Sequence, residues 1–162
     1  MSENYCFLID SREQRPYLFR GQPSKKQGLK TGDYSISFND VDYDHEIMIE
    51  RKALDDFVGV CGKGRPRFIK ELERSMLIPN FFIIIEGSWL DLEMSRYHSM
   101  INPNSVIESI LGWQIKYGCH IILTETRQRG ERLTKKLLLH FLKYKAKEYK
   151  EKHIAEGLIE RN

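Results

Sequence analysis

Three acidic residues and a lysine lie where strand ends can bring them together. Glu50, Arg51 and Lys52 close the apolar run Glu46-Ile47-Met48-Ile49. Charges at the end of a buried strand are costly unless they are paired or hold a metal. Residues i and i+2 of a strand share a face, so Glu50 and Lys52 point one way and Arg51 the other. Asp33 opens the preceding strand, and a hairpin brings it alongside Glu50. Asp10 ends the first strand and joins them at the same sheet edge. Three carboxylates offer oxygen ligands to a hard cation such as Mg²⁺. Such an ion polarises a phosphoryl oxygen and lowers the pKa of a bound water. A neighbouring lysine can hold that water or neutralise charge on the phosphorus.

The elements that must position these groups show in the hydrophobic pattern. "YCFLID" (5–10) is a short apolar run, read as a buried strand. Residues 11–28 carry Pro16, Gly21, Pro23 and Gly28 and have the chemistry of a loop. Tyr34, Ile36 and Phe38 alternate with polar residues, which predicts a strand over 32–38. A turn at 39–44 and a strand at 45–52 complete a hairpin. "ALDDFVGVCG" predicts a short helix, and Phe68, Ile69, Leu72 and Met76 predict a helix over 67–78. The run at 79–88 reads as a central strand, and 119–126 as another. Between them, Ser105 and Glu108 are spaced as a capping box. They open a helix whose face is Val106, Ile107, Ile110, Leu111 and Gln114. The final helix, 129–152, places Leu133, Leu137, Phe141 and Tyr144 along one side. Alternating strands and helices in the second half imply parallel neighbours, and the hairpin is antiparallel. The expected fold is α/β, a mixed central sheet flanked by helices. It forms a single domain over 1–162 with its core at about 5–145, and no repeat is present.

The chain has 162 residues, 41% hydrophobic and 30% charged, as a globular domain requires. No run of about 18 apolar residues exists, so no membrane partner is expected. The N-terminus lacks the pattern of a signal peptide. Cys6, Cys61 and Cys119 form no CxxC pair, so reduced thiols in a cytoplasmic or nucleoid-associated (in a eukaryote, nuclear) protein are expected. Net charge is only +3, but residues 127–152 hold ten Lys/Arg against three Asp/Glu, or +7, leaving −4 elsewhere. That basic helix either touches phosphates or is a solvated face. Asp40, Asp42 and Asp44 mimic a calcium loop, but His45 stands where glycine is needed and Arg51 where the bidentate Glu is needed. The histidines show no zinc spacing, and no serine or cysteine has nucleophile support. Trp89 and Trp113 read as core.

Four motifs occur in order: Ile9-Asp10-Ser11-Arg12-Glu13, Gly32-Asp33-Tyr34, Glu50-Arg51-Lys52 with Asp56, and Gly64-Arg65. The set resembles the restriction-endonuclease-like nuclease domain of the XPF/Hef family, structure-specific endonucleases of excision repair and fork processing. The resemblance implies hydrolysis of DNA phosphodiesters near a flap, fork or Holliday junction, in repair or recombination, with Mg²⁺ or Mn²⁺. It implies that Asp10, Asp33 and Glu50 hold the metal, that the Arg51 carbonyl completes the shell, and that Lys52 orients the water. Asp56 is the matching further acid of the catalytic set, with Asp55 beside it as the alternative, and Glu13 supports. Arg12, Arg51 and Arg65 pair with these acids or reach the DNA backbone. Lys63, Arg65 and Arg67 of "GKGRPRF" are candidate phosphate contacts. Family members usually carry tandem helix-hairpin-helix motifs after this domain, and the expectation here is of a nuclease domain without that module. Affinity is then expected from a homodimer, a partner subunit or the basic helix. Two other readings are open: a non-catalytic DNA-binding subunit that positions a partner, and a nuclease of mobile-element recombination or defence acting on less structured DNA.

Overall fold

The computed structural model describes residues 4–157. Its sheet runs β2-β1-β3-β5-β6-β7, with β4 beside β3. The strands are β1 (Tyr5–Asp10), β2 (Ser24–Gln27), β3 (Tyr34–Phe38), β4 (Val41–Asp42), β5 (Ile47–Ala53), β6 (Asn80–Glu86) and β7 (His120–Leu123). The helices are α1 (Leu54–Cys61), α2 (Arg65–Ser75), α3 (Trp89–Glu93), α4 (Pro103–Tyr117) and α5 (Arg127–Ala155). β3 pairs antiparallel with β1 and β5, and β5, β6 and β7 are parallel. The expected mixed sheet and its hairpin are therefore present.

β6 reads as an unbroken apolar run because both of its faces are covered. Phe81, Ile83 and Ile85 face a core built with Phe57 and Val58 of α1, Phe68 and Leu72 of α2, and Val106 and Trp113 of α4. Ile84 faces the other core, where Leu138 and Leu142 of α5 join Tyr17, Phe19, Tyr34 and Ile49. Each such fully buried Ile, Leu or Phe contributes about 1.5–3 kcal/mol. β5 divides in the same way, with Met48 in the first core and Ile47 and Ile49 in the second. Glu50 and Lys52 continue the first face, and Arg51 the second. Among the described residues, no helix is long and apolar enough to cross a membrane.

Several elements depart from expectation. β2 lies inside the stretch that reads as loop. It is an exposed edge strand paired only with β1, in parallel from Phe7↔Ser24 to Asp10↔Gln27. An edge strand of Ser-Lys-Lys-Gln buries no face, so it leaves no period-2 signal. α4 starts two residues before Ser105: Asn102 is the cap, its side chain accepting the Asn104 N–H at 2.9 Å, and Pro103 takes the first turn. Ser105 and Glu108 therefore form no capping box. The box is at α3, where Ser88 and Asp91 exchange bonds of 3.0 and 2.9 Å. The α4 face is Val106, Ser109, Ile110, Trp113 and Tyr117, and Leu111 is exposed. α5 buries Gly130, Thr134, Leu138 and Leu142, one position on from the expected stripe, and leaves Tyr144 exposed. Gly130 packs against the Tyr17 hydroxyl, a close approach that hydrophobicity does not signal. Trp113 is core as expected, but Trp89 is 44% exposed.

Candidate active site

β1, β3 and β5 are zipped together where their acids lie. The Asp10 N–H donates to the Asp33 carbonyl, and the Asp33 N–H to the Ile49 carbonyl, both at 2.8 Å. Asp33 then accepts the Arg51 N–H on Oδ2 at 2.8 Å. Asp10 is buried and accepts from the Leu29 N–H at 3.1 Å and the Arg12 Nε at 2.8 Å. Glu50 is 8% exposed and takes the Lys52 ammonium at 2.7 Å. Lys52 lies over the Phe68 ring of α2, at 5.3 Å from its centre. Asp10, Asp33, Glu50 and Lys52 line one cleft of about 230 Å³, together with Arg12, Lys30, Thr31, Gly32, Glu71 and Arg74. A larger hollow of about 390 Å³ between α2 and α4, walled by Ile69, Trp113 and Tyr117, lacks this set.

Gly32 sets the approach to Asp33. Its φ is +81°, and a Cβ there would collide with Met48, meeting Sδ at 2.8 Å. Only glycine adopts this backbone freely. Gly32→Ala is expected to cost about 2 kcal/mol, lowering the midpoint of thermal unfolding by roughly 4–8 °C.

Arg12, Lys30, Lys52 and Arg74 match the cleft's four carboxylates in number, but burial disfavours the charged form of the innermost acids. Burial and the neighbouring Glu50 carboxylate push Asp33 up to about 8. Burial raises Glu50 as well, against the opposing pull of Lys52. Burial works against the Lys52 ammonium, but Glu50 outweighs it and the lysine stays charged. Asp33 Oδ1 and Glu50 Oε2 accept no hydrogen bond from the described residues. Neither is sealed from solvent. Buried carboxylates with free oxygens suit a hard divalent cation. Among the described residues, no three of His, Cys, Asp or Glu are already drawn together at ligating distance. Lys52 stands on Glu50 and Arg12 on Asp10, where a cation would compete with them.

Beneath the cleft, on the α5 side, lies a second charged cluster. Arg51 grips Glu86 with two bonds, Nε to Oε1 at 2.6 Å and Nη2 to Oε2 at 3.1 Å. The Tyr17 hydroxyl donates to the same Oε1 at 2.8 Å, and Arg127 approaches it at 3.7 Å. Glu13 lies 3.6 Å from Arg51. Both guanidiniums stack near the Tyr17 ring, at 5.5 and 5.1 Å. The cluster holds the Arg51 side chain, and so the backbone N–H that orients Asp33.

The other expected site residues lie elsewhere. Asp55 accepts the His98 N–H at 2.8 Å, which lowers its pKa, and Asp56 is exposed in the first turn of α1. Neither lines the cleft. Lys63, in the turn before α2, and Arg67, in its first turn, are exposed. Arg65 is tied into the fold: Nη1 donates to Ser109 Oγ at 2.8 Å, and the guanidinium sits 5.0 Å from the Trp113 ring centre. Sequence reasoning missed Glu71 and Arg74, whose i, i+3 spacing sets them on one flank of α2 beside Phe68. It also missed Glu86, which ends an apolar run just as Glu50 does.

Residues 9–137 match the family model described as the ERCC4 domain. The fold is similar to that of XPF from Aeropyrum pernix in complex with DNA, at 22% identity and a TM-score of 0.68, over 86% of this chain and 66% of that one. A second structure of XPF from Aeropyrum pernix gives 23% identity and a TM-score of 0.64, over 82% and 64%. The chain thus spans just under two thirds of the length of these relatives, and at such identities the likeness is one of fold. No curated protein sequence matches.

Proposed function

The chain belongs to the ERCC4 domain family, and from that premise we propose that it is a divalent-metal-dependent endonuclease that cuts DNA near branches such as flaps, forks or Holliday junctions. The family relationship supports a structure-specific DNA endonuclease as the general class. The observation that carries the finer reading is the convergence of Asp10, Asp33, Glu50 and Lys52 on one polar cleft. DNA as the ligand is carried over from the Aeropyrum pernix complex. The proposal treats residues 1–162 as one nuclease domain and includes a second copy or another subunit as its partner. A single monomeric species in light scattering at high concentration counts against the homodimer.

Asp10, Asp33, Glu50 and the Arg51 carbonyl would hold Mg²⁺ or Mn²⁺. When bound, such a cation polarises the scissile phosphate and eases deprotonation of water. The protein's own groups supply the remainder. Lys52, with its side chain 18% exposed beside Glu50, presents an ammonium that orients the attacking water or meets charge on the phosphoryl oxygens. Arg12, with its side chain 69% exposed at the cleft beside Asp10, would offer its guanidinium to the DNA backbone. Glu13, Arg51 and Glu86 keep the strand ends in register. The water oxygen bonds to phosphorus as the bond to the 3′ oxygen breaks, leaving a 5′-phosphate and a 3′-hydroxyl.

The test is a panel of end-labelled flap, fork, junction, linear and single-stranded DNA with Mg²⁺, Mn²⁺, Ca²⁺ or EDTA. Cleavage with Mg²⁺ and Mn²⁺, concentrated near branches and absent in EDTA, is the expected result. Mg²⁺ should also raise the thermal midpoint without DNA, since it binds only the folded site. Tight binding with no cleavage of any substrate would support a non-catalytic positioning subunit. Equal cutting of unbranched DNA would point to the recombination or defence habit.

A further inference from the structure

We infer that the outward face of α5 is a second DNA-binding surface, which takes the phosphate backbone of a duplex arm apart from the strand in the cleft. The choice of DNA as its ligand rests on the nuclease reading above, but the surface stands on its own geometry. At about 100° per residue, Arg132, Lys136, His140, Lys143, Lys147 and Lys150 fall on one strip. The strip lies opposite the buried line of Gly130, Thr134, Leu138 and Leu142. Every one of the six is exposed.

Between Arg132 and Lys150 the strip carries no acid. Glu131 lies to one side and accepts the Phe19 N–H at 2.8 Å, and Glu148 pairs with Lys145 at 2.9 Å. Glu151 lies 3.8 Å from Lys147, but both side chains are more than half exposed and such a pair is worth little. From Arg132 to Lys150 the strip is about 27 Å long, the axial span of about eight phosphates on one strand. Leu138 and Leu142 hold the helix on the sheet, so the charges are presented as a fixed rail rather than a flexible tail.

Other acidic ligands fit less well. A helix that lies in a membrane surface needs a free apolar face, and that of α5 is committed to the core. Two copies facing each other through the strip would oppose like charges.

The position also bears on substrate geometry. The cleft is on the α2 face of the sheet and α5 covers the other. Arg127, in the first turn of α5, reaches Glu86, which holds Arg51 of β5. The rail therefore begins at the cleft's end of the sheet and leads away behind it. A straight duplex lying along α5 does not cross the cleft, whereas a branched molecule can place one strand there and an arm on the helix.

The experiment measures anisotropy of a labelled fork and a linear duplex with the full chain in EDTA, from about 50 to 200 mM KCl. The variant Arg132→Gln/Lys136→Gln/Lys143→Gln/Lys147→Gln keeps good helix formers at exposed positions, and circular dichroism checks its fold. Its salt slope for the fork is expected to fall by about three to four, with affinity reduced at least about tenfold. The pair Lys143→Gln/Lys147→Gln should weaken binding more than Lys25→Gln/Lys26→Gln, which removes equal charge from β2. Unchanged slope and affinity in the folded fourfold variant, or equal effects of the two pairs, would overturn the rail. Stronger binding to anionic phosphatidylserine vesicles than to DNA, lost in the same variant, would overturn DNA as its ligand. Lost binding in a chain whose wild type cuts nothing would sink the nuclease reading and leave the surface standing.

Discussion

Lys52→Ala is expected to lower cleavage by about a hundredfold to a thousandfold, while leaving the fold and most DNA binding in place. Lys52 is the cation that meets Glu50, at 2.7 Å, and its ammonium faces the cleft. On the proposed mechanism, removing it takes away the donor for the attacking water or the phosphoryl oxygens. It also removes the positive charge that competes for Glu50. The variant should therefore keep, or enlarge, the rise in thermal midpoint that Mg²⁺ gives without DNA. Glu50→Gln should abolish cleavage equally but lose the Mg²⁺ response, because a carboxylate oxygen is gone. The two variants thus look alike in a gel and opposite in a melt. Full activity in either ends the site assignment. Loss of the Mg²⁺ response in Lys52→Ala would instead make the lysine part of the cation's own binding.

How much of this was legible in the sequence depended on whether a feature writes itself into hydrophobic pattern. β5 and β6 are apolar runs closed by acids, so Glu50 and its alternation with Arg51 and Lys52 could be placed from period alone. Asp33 followed once Tyr34, Ile36 and Phe38 marked the partner strand. β2 could not be read, because an exposed Ser-Lys-Lys-Gln edge owes its place to backbone bonds with β1. The buried face of α5 was offset because Gly130 and Thr134 contribute by shape, against Tyr17 and under the sheet. Glu71 reaches the cleft only because α2 packs beside it, and Glu86 meets Arg51, Tyr17 and Arg127 across the fold, to all of which local spacing is blind. Arg65 is exposed, as a phosphate contact in a Gly-Arg segment would be, but its bond to Ser109 and its place over Trp113 could not be read from the segment.

Asp33→Asn is expected to abolish cleavage and to make the metal-free protein more stable. Asparagine keeps an oxygen for the Arg51 N–H, so the strand junction survives. What it removes is a carboxyl that burial and Glu50 hold up to about 8. The folded pKa lies above the unfolded value, so the unfolded chain gives up its proton first as pH rises. Wild-type stability therefore falls between about pH 4 and pH 8, and the full penalty stands above the folded pKa. The variant has no such group, so its advantage is near zero at about pH 4 and greatest above about pH 8. With the remaining charge shared by Glu50, about 2 kcal/mol is expected, or roughly 4–8 °C in the midpoint at alkaline pH. Saturating Mg²⁺ should narrow the gap, since it stabilises the ionised wild-type site and has less to hold in the variant. A variant less stable than wild type at every pH would show that the Asp33 charge is already compensated. The cleft would then be a structural ion cluster rather than a site kept strained for a cation.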